Sequence, residues 1–294
     1  MACLQSGDRS ALVSCRDNEK RGSSYRVGAV STAAVKHAGS KGIVGKWSIT
    51  VLFGSLLVLA SASAVQAAEL QVIAGGGIAA ALNEIAVLFE RASGHKVVIR
   101  YGTAPELIKM AASDVRFDLG VAPQDVWTDA AARAQLAPGP RPDVARVGIG
   151  VAVRSGAPKP DISTAAALKQ TLLNAQSIAS IPASATGTQL AGIYERLGIT
   201  EEMKFKTKAQ TAPRQIADAV ANGQAELAVF GLNVLIDPRL EIVGPFPAEV
   251  QREVVYVAGV AGNSKEPEAA KAFLAYLMSP PAIAVIKAKG LNPG

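Results

Sequence analysis

Between residues 70 and 289 the chain alternates short apolar runs rich in β-formers with helical patterns, and nearly every run ends in small or glycine-rich residues. Leu70 to Ala74 stops at Gly75-Gly76-Gly77. The helical pattern that follows places Ile78, Leu82, Ile85, Leu88 and Phe89 on one face and meets a stop at Gly94. Lys96 to Tyr101 reads as a second strand closed by Gly102-Thr103-Ala104-Pro105, and Pro105 suits the first turn of the helix after it. Asp118 to Val121 is a third strand, with a helix from about Gln124 to Gln135. Such alternation predicts an α/β protein with a parallel sheet and helices on both faces.

Pro138, Pro140 and Pro142 interrupt the series. Arg146 to Val153 is then long enough to cross into a second lobe. A second βα series follows: a helix near Thr164 to Leu173, a strand at Ser177 to Ile181, and a helix from Gly187 to Leu197. Next come a strand near Lys204 to Thr207, a helix at Pro213 to Asn222 and a strand at Glu226 to Phe230. Gly244-Pro245-Phe246-Pro247 reads as a turn. Glu253 to Val260 returns the chain to the first lobe, and helices at Pro267 to Met278 and Pro280 to Lys289 end it. The fold expected is two doubly wound βα lobes joined by a two-strand hinge, with lobe 1 at 68–146 plus 256–294 and lobe 2 at 147–255.

Residues 1–67 read as a leader. Lys41 and Lys46 flank an uncharged stretch from Trp47 to Ala60, too short for a spanning helix of roughly 20 residues. Val65-Gln66-Ala67 offers small side chains for cleavage after Ala67. No twin arginine precedes it and no cysteine follows the cut, so the general secretory route and a periplasmic protein without a lipid anchor are expected. Cleavage changes the composition. The leader holds eight of the 30 basic and three of the 24 acidic residues, which leaves 22 against 21 in the mature chain. The basic excess is therefore no argument for a nucleic-acid partner. Cys3 and Cys15 both leave with the leader, so the mature chain has neither disulfide nor thiol chemistry.

Open α/β sheets bind ligands beyond the carboxyl ends of their strands. Those ends carry AGGG, YGTAP, SIPASATGT and VFGLN, and most lead into a helix N-terminus, whose free N–H groups and partial positive charge suit a small anion. Candidate ligand contacts are Gly76, Gly77, Thr103, Ala104, Ser184, Thr186, Gly187 and Asn233, the glycines and Ala104 acting through backbone N–H groups.

Catalytic patterns are scarce. His95 is the one histidine of the mature chain and reads as a surface or turn residue; neither G-x-S-x-G nor H-E-x-x-H occurs. The expectation is a binding protein, not an enzyme, with no metal. Gly75 to Ala80 satisfies the dinucleotide fingerprint G-x-G-x-x-A, but the second strand ends in Arg100-Tyr101 with no acid to hold a ribose, so no cofactor is expected. Trp127 reads as core, Leu190, Tyr194 and Leu197 as a buried helix face, and Lys204, Lys206 and Lys208 as the solvated side of a strand.

VIAGGGIAAALNEIAVLFERASGHKV, DLGVAPQDVWTDAA, AVANGQAELAVFG and EAAKAFLAYLMSPPAIAVIKAKG resemble, in order, successive segments of the periplasmic molybdate-binding proteins. The resemblance runs through nearly all of residues 69–294. It implies the type 2 periplasmic-binding fold, hinge closure on a small anion, a monomer, and delivery to an inner-membrane ABC permease. It also marks departures. The family carries a serine at the place of Gly77, a serine pair at Thr103-Ala104 and a tyrosine near Phe230-Gly231, whereas Thr186 lies where a backbone N–H serves. Each lost hydrogen bond to a charged ligand costs about 1.5–3 kcal/mol. The ligand expected is a molybdate-type oxyanion, or alternatively an organic anion or other small solute admitted by the smaller residues; an exported enzyme is the third reading.

Overall fold

The computed structural model describes residues 67–113 and 115–294. Residues 1–66, with the apolar leader stretch at 47–60, lie outside this described part. Strand β1 (Glu69–Gly75) leads through a 3-10 turn at Gly76–Ile78 into α1 (Ala79–Ser93). Helix α1 buries Leu82, Ile85 and Phe89 and ends where Gly94 takes the left-handed conformation at φ 77°. A residue with a Cβ is strained there, which is why the glycine marks the stop. Strand β2 (Lys96–Gly102), α2 (Ala104–Ala112), β3 (Leu119–Pro123) and α3 (Ala130–Ala134) complete the first βα series, with a 3-10 turn at Gln124–Thr128 where one continuous helix is expected.

Strand β4 (Asp143–Arg154) opens the second series of α4 (Ala165–Asn174), β5 (Ile178–Ser180), α5 (Ala185–Leu197), α6 (Thr200–Lys206), β6 (Thr207–Ala209), α7 (Pro213–Ala221), β7 (Leu227–Gly231) and β8 (Leu240–Pro245). Strand β9 (Glu253–Val260), α8 (Pro267–Leu277), α9 (Pro280–Ala288) and β10 (Asn292–Pro293) end the chain.

The strand order is β2-β1-β3-β9-β4-β7-β5-β6, with β8 and β10 both paired to β4. The β2-β1-β3 and β7-β5-β6 groups are parallel, while β9 and β4 run antiparallel to their neighbours. The sheet is therefore mixed rather than purely parallel. The molecule has two βα lobes, and β4 and β9 are the strands that pass between them. Along β4, residues up to Gly148 pair with β9 and residues from Ile149 pair with β7. At this change of partner the Gln251 side chain substitutes for a strand. Its Oε1 accepts from the Ile149 N–H, and its Nε2 donates to the Ile149 carbonyl, both at 2.9 Å.

One core packs α1, α8 and α9 on the first sheet, with the Phe89 and Phe273 ring centroids 4.8 Å apart. On the opposite face Phe117, Val126 and Trp127 pack beneath α2. Trp127 is core, its Nε1–H donating to the Val257 carbonyl. The second lobe has its own pair of cores, one around Leu168, Leu172 and Ile193, the other around Ile216 and Phe230. Asp118 is fully buried and joins three segments: it accepts from Gln71 N–H at 2.8 Å, from Ser264 Oγ at 2.8 Å and from Lys265 N–H at 3.1 Å.

Three expectations need correction. Residues 204–206 are helical, because Gly198 turns the chain at φ 63° and Glu201 and Glu202 then fill the first turn of α6, where acids favour the helix dipole. Residues 244–245 end an edge strand, where proline costs no ladder bond. His95 is buried, not a surface residue: its Nδ1 accepts from Ala68 N–H at 3.1 Å and its ring stacks on Phe89.

A cation-free cleft lined by helix N-termini

The carboxyl ends of the parallel strands in both lobes meet at one cavity of about 260 Å³. Its wall comprises Gly75, Gly76 and Gly77 after β1, Tyr101 to Ala104 with Glu106 after β2, and Pro123 after β3. The second lobe adds Ile181, Ser184, Ala185 and Thr186 after β5, Thr211 to Pro213 after β6 and Phe230 of β7, and Tyr256 of β9 completes it. Four helices, α1 through its leading 3-10 turn and α2, α5 and α7 directly, begin at this wall. A helix N-terminus carries the equivalent of about half a positive charge. No lysine or arginine is among these lining residues, and Glu106 is their single carboxylate.

Six of the eight sequence candidates, Gly76, Gly77, Thr103, Ala104, Ser184 and Thr186, are brought together in the wall. Their side chains are not equally free. Ser184 caps α5: its Oγ accepts from Gly187 N–H at 3.0 Å and donates to the Ile181 carbonyl at 2.7 Å. Thr103 donates its hydroxyl to Glu106 Oε2 at 2.9 Å, and the same oxygen takes the Thr103 N–H at 2.8 Å. This returning arm of a capping box fixes the start of α2. Those bonds, from the backbone N–H first and the hydroxyl second, hold the Glu106 carboxyl below the usual range. Thr186 is buried at 5% exposure.

Gly187 and Asn233 are not in the wall. Gly187 lies just behind it, where a Cβ would fall on the carbonyl oxygens of Ile181 and Pro182; only glycine lets α5 start this close to its own loop. Asn233 reaches across from the turn after β7 and donates through Nδ2 to the Gly77 carbonyl at 2.7 Å. Its role in this structure is to tie the first loop to the second lobe.

Sequence reasoning missed Tyr256. The residue is 3% exposed on β9, and a Cβ built on Gly77 would fall on its hydroxyl. A Cβ on Gly75 would also press on its ring, at 3.0 Å from Cε1. The small residues of the first loop therefore make room for this ring, and the phenol hydroxyl takes the space a side chain at 77 would need. Burial pushes the Tyr256 phenol above its ordinary value, with the charge of Asp125 adding to the effect, so it stays a neutral donor. Tyr101 is likewise pushed up by burial, and its hydroxyl donates to Asn83 Oδ1 at 2.7 Å. Thr211 and Ala212 were also missed, for the want of a correct β6. Their N–H groups meet Gln215 Oε1 at 2.9 and 3.1 Å, which fixes the start of α7.

This arrangement has counterparts of known name. An aconitate isomerase from Pseudomonas sp. is 34% identical over 254 residues, covering 83% of this chain and 96% of its own. The molybdate-binding protein ModA of Azotobacter vinelandii is 29% identical over 241 residues, covering 78% of this chain and 92% of the relative. Among solved structures, the periplasmic molybdate-binding protein of Azotobacter vinelandii superposes with a TM-score of 0.62 at 21% identity, covering 76% of this chain and 99% of that one. The ferric binding protein from Campylobacter jejuni superposes at 0.61 with 18% identity, covering 76% and 86%.

The isomerase relative overturns the expectation that the chain is no enzyme. That expectation rested on the lack of a histidine base, a serine elbow and a metal cluster. None of these is needed to move a proton next to a carboxylate, and the cavity holds a carboxylate and a buried phenol. The type 2 periplasmic-binding fold and a divergent likeness to molybdate-binding proteins stand. The model of the bacterial extracellular solute-binding proteins matches residues 70–292, and the chain belongs to that family.

Proposed function

We propose that the protein is exported to the periplasm and closes its two lobes on a small organic polycarboxylate, interconverting the isomers of an unsaturated tricarboxylate of the aconitate type. The observation that carries this reading is the Tyr256 hydroxyl beside Gly77: the first loop has no side chain there, and a phenol from a different strand holds that space. Ala104 leaves the second loop without a side-chain hydroxyl as well. The cavity of about 260 Å³ has room for an anion larger than a tetrahedral oxyanion of five heavy atoms. A branched tricarboxylate uses it better. Its charge is met by helix N-termini rather than by cations, and the kinship with an aconitate isomerase supports the choice.

In this reading the ligand-binding groups are Gly76, Gly77, Thr103, Ala104 and Thr186 together with Tyr256. Ligand contacts on both lobes favour the closed state. The lobes divide at 68–146 plus 256–294 and 147–255, after removal of a leader ending near Ala67. Mixing the purified protein with cis-aconitate and following the trans isomer by NMR tests the activity. Absence of both conversion and binding heat sinks it.

A second reading has support in the ModA relative: capture of a molybdate-type oxyanion for an inner-membrane ABC permease. Calorimetry with molybdate, tungstate and sulfate decides for it if any of them binds more tightly than the tricarboxylates.

A further inference from the structure

We propose that Glu106 is the catalytic base of this cavity, taking a proton from the bound tricarboxylate and returning it at a second carbon. The inference rests on the isomerase reading above and names the group that performs it. Interconversion of the two isomers needs no oxidant and no net proton. A C–H bond of the methylene breaks, its electron pair becomes the new double bond, and the pair of the old double bond takes the proton at the far carbon. One group that accepts and gives back a proton completes the balance, provided the intervening negative charge is stabilised.

Few of the lining groups can do this. The wall has no histidine, lysine or cysteine. The Tyr101 and Tyr256 phenols are held neutral by burial, so each can donate but neither is a base at neutral pH. Ser184 spends its hydroxyl on the Ile181 carbonyl. Glu106 remains, an exposed carboxylate at the third position of α2. Its Oε2 takes both bonds from Thr103, while Oε1 has no hydrogen-bond partner among the described residues.

The cap that steadies Glu106 also makes it a weak base, since bonds to the ionised form favour ionisation. A ligand carboxylate that draws the Thr103 N–H and hydroxyl to itself releases Oε2 and raises its basicity. The base is thus strengthened by arrival of the substrate. The charge left on the substrate after proton removal spreads onto its carboxylate, where the N-termini of α1 and α5 supply fixed donors that need no rearrangement.

Glu106→Gln tests the assignment, because glutamine also serves the returning arm of a capping box and keeps the start of α2. We expect its melting temperature to match the wild type and its calorimetric affinity for trans-aconitate to stay within about tenfold. Turnover of cis-aconitate should fall by about 10²–10⁴-fold, the usual share of a general base. In D2O the wild type should place deuterium on the allylic carbons and the variant should not, while Glu106→Asp should recover part of the rate. Turnover by Glu106→Gln within tenfold of the wild type overturns the role of Glu106 and leaves the isomerase reading intact. Loss of binding in Glu106→Gln also overturns it, by making Glu106 a ligand contact. A wild type that binds but never interconverts the isomers overturns the isomerase reading and this inference together.

Discussion

The Tyr256 hydroxyl fills the volume that any side chain at Gly77 would need, so these two positions are coupled although 179 residues apart. Tyr256→Phe removes the buried phenol hydroxyl beside Gly77 and keeps the ring. It should weaken ligand binding by about 1.5–3 kcal/mol, roughly ten- to a hundred-fold, with little change in melting temperature. Gly77→Ala should force the ring aside and lower stability by about 1–3 kcal/mol. The double variant should be more stable than Gly77→Ala alone, as thermal unfolding and calorimetry on the four proteins of the cycle would show.

Gly187→Ala is a different kind of steric test. The added Cβ meets backbone carbonyls of Ile181 and Pro182, which cannot swing away as a side chain can. A loss of about 2 kcal/mol or more in unfolding free energy is expected, together with weaker ligand binding, because the start of α5 is displaced from the wall. Unchanged denaturant midpoints would refute this.

Asp118→Asn keeps the shape of a buried junction but turns an acceptor into a donor. Gln71 N–H, Ser264 Oγ and Lys265 N–H all give hydrogen bonds to this carboxylate. At least one must then face an amide N–H₂ or go unpaired, at a cost of about 1–3 kcal/mol. Urea unfolding measures it, and the activity of the folded fraction should be unaffected.

Acid stability should depend on Asp237. Its carboxyl is held down to about 2, chiefly by the Arg239 guanidinium, which donates to both oxygens at 2.9 and 2.8 Å. A folded value below the unfolded one, near 3.9, contributes stability that is complete above about pH 4 and fades as pH falls toward 2. Melting curves of Asp237→Asn should lie below the wild type at pH 5 and converge with it at the acid end.

Much of the architecture was legible because strand and helix each left a local mark. Gly94, Gly102 and Gly231 close runs whose apolar spacing gave β1 to β3, β7 and the helices between them. Short-range patterns failed where two periods coincided. Lys204, Lys206 and Lys208 alternate as on a strand, yet Met203 is buried, Lys204 pairs with Glu201 one turn back, and Lys206 caps the carbonyls of Leu173 and Ala175. That single misreading displaced β6 and hid Thr211 to Pro213, the wall it delivers. Tyr256 was hidden for a longer-range reason. In the run EVVYVAGV nothing local says which residue faces a cleft; its aim is set by Gly75, Gly77 and Pro123, all distant in sequence.

Tyr256 also marks where β9 is paired on both sides, to Pro123 of the first sheet and to Ala145 of β4. The strand continues toward Gln251, whose amide clasps Ile149 at the change of partner. On the proposed reading, a ligand that pulls on the phenol pulls on a strand that joins the lobes, so occupancy and posture would share one lever. A mutation at Tyr256 should then alter how far the jaws shut as well as how tightly they hold.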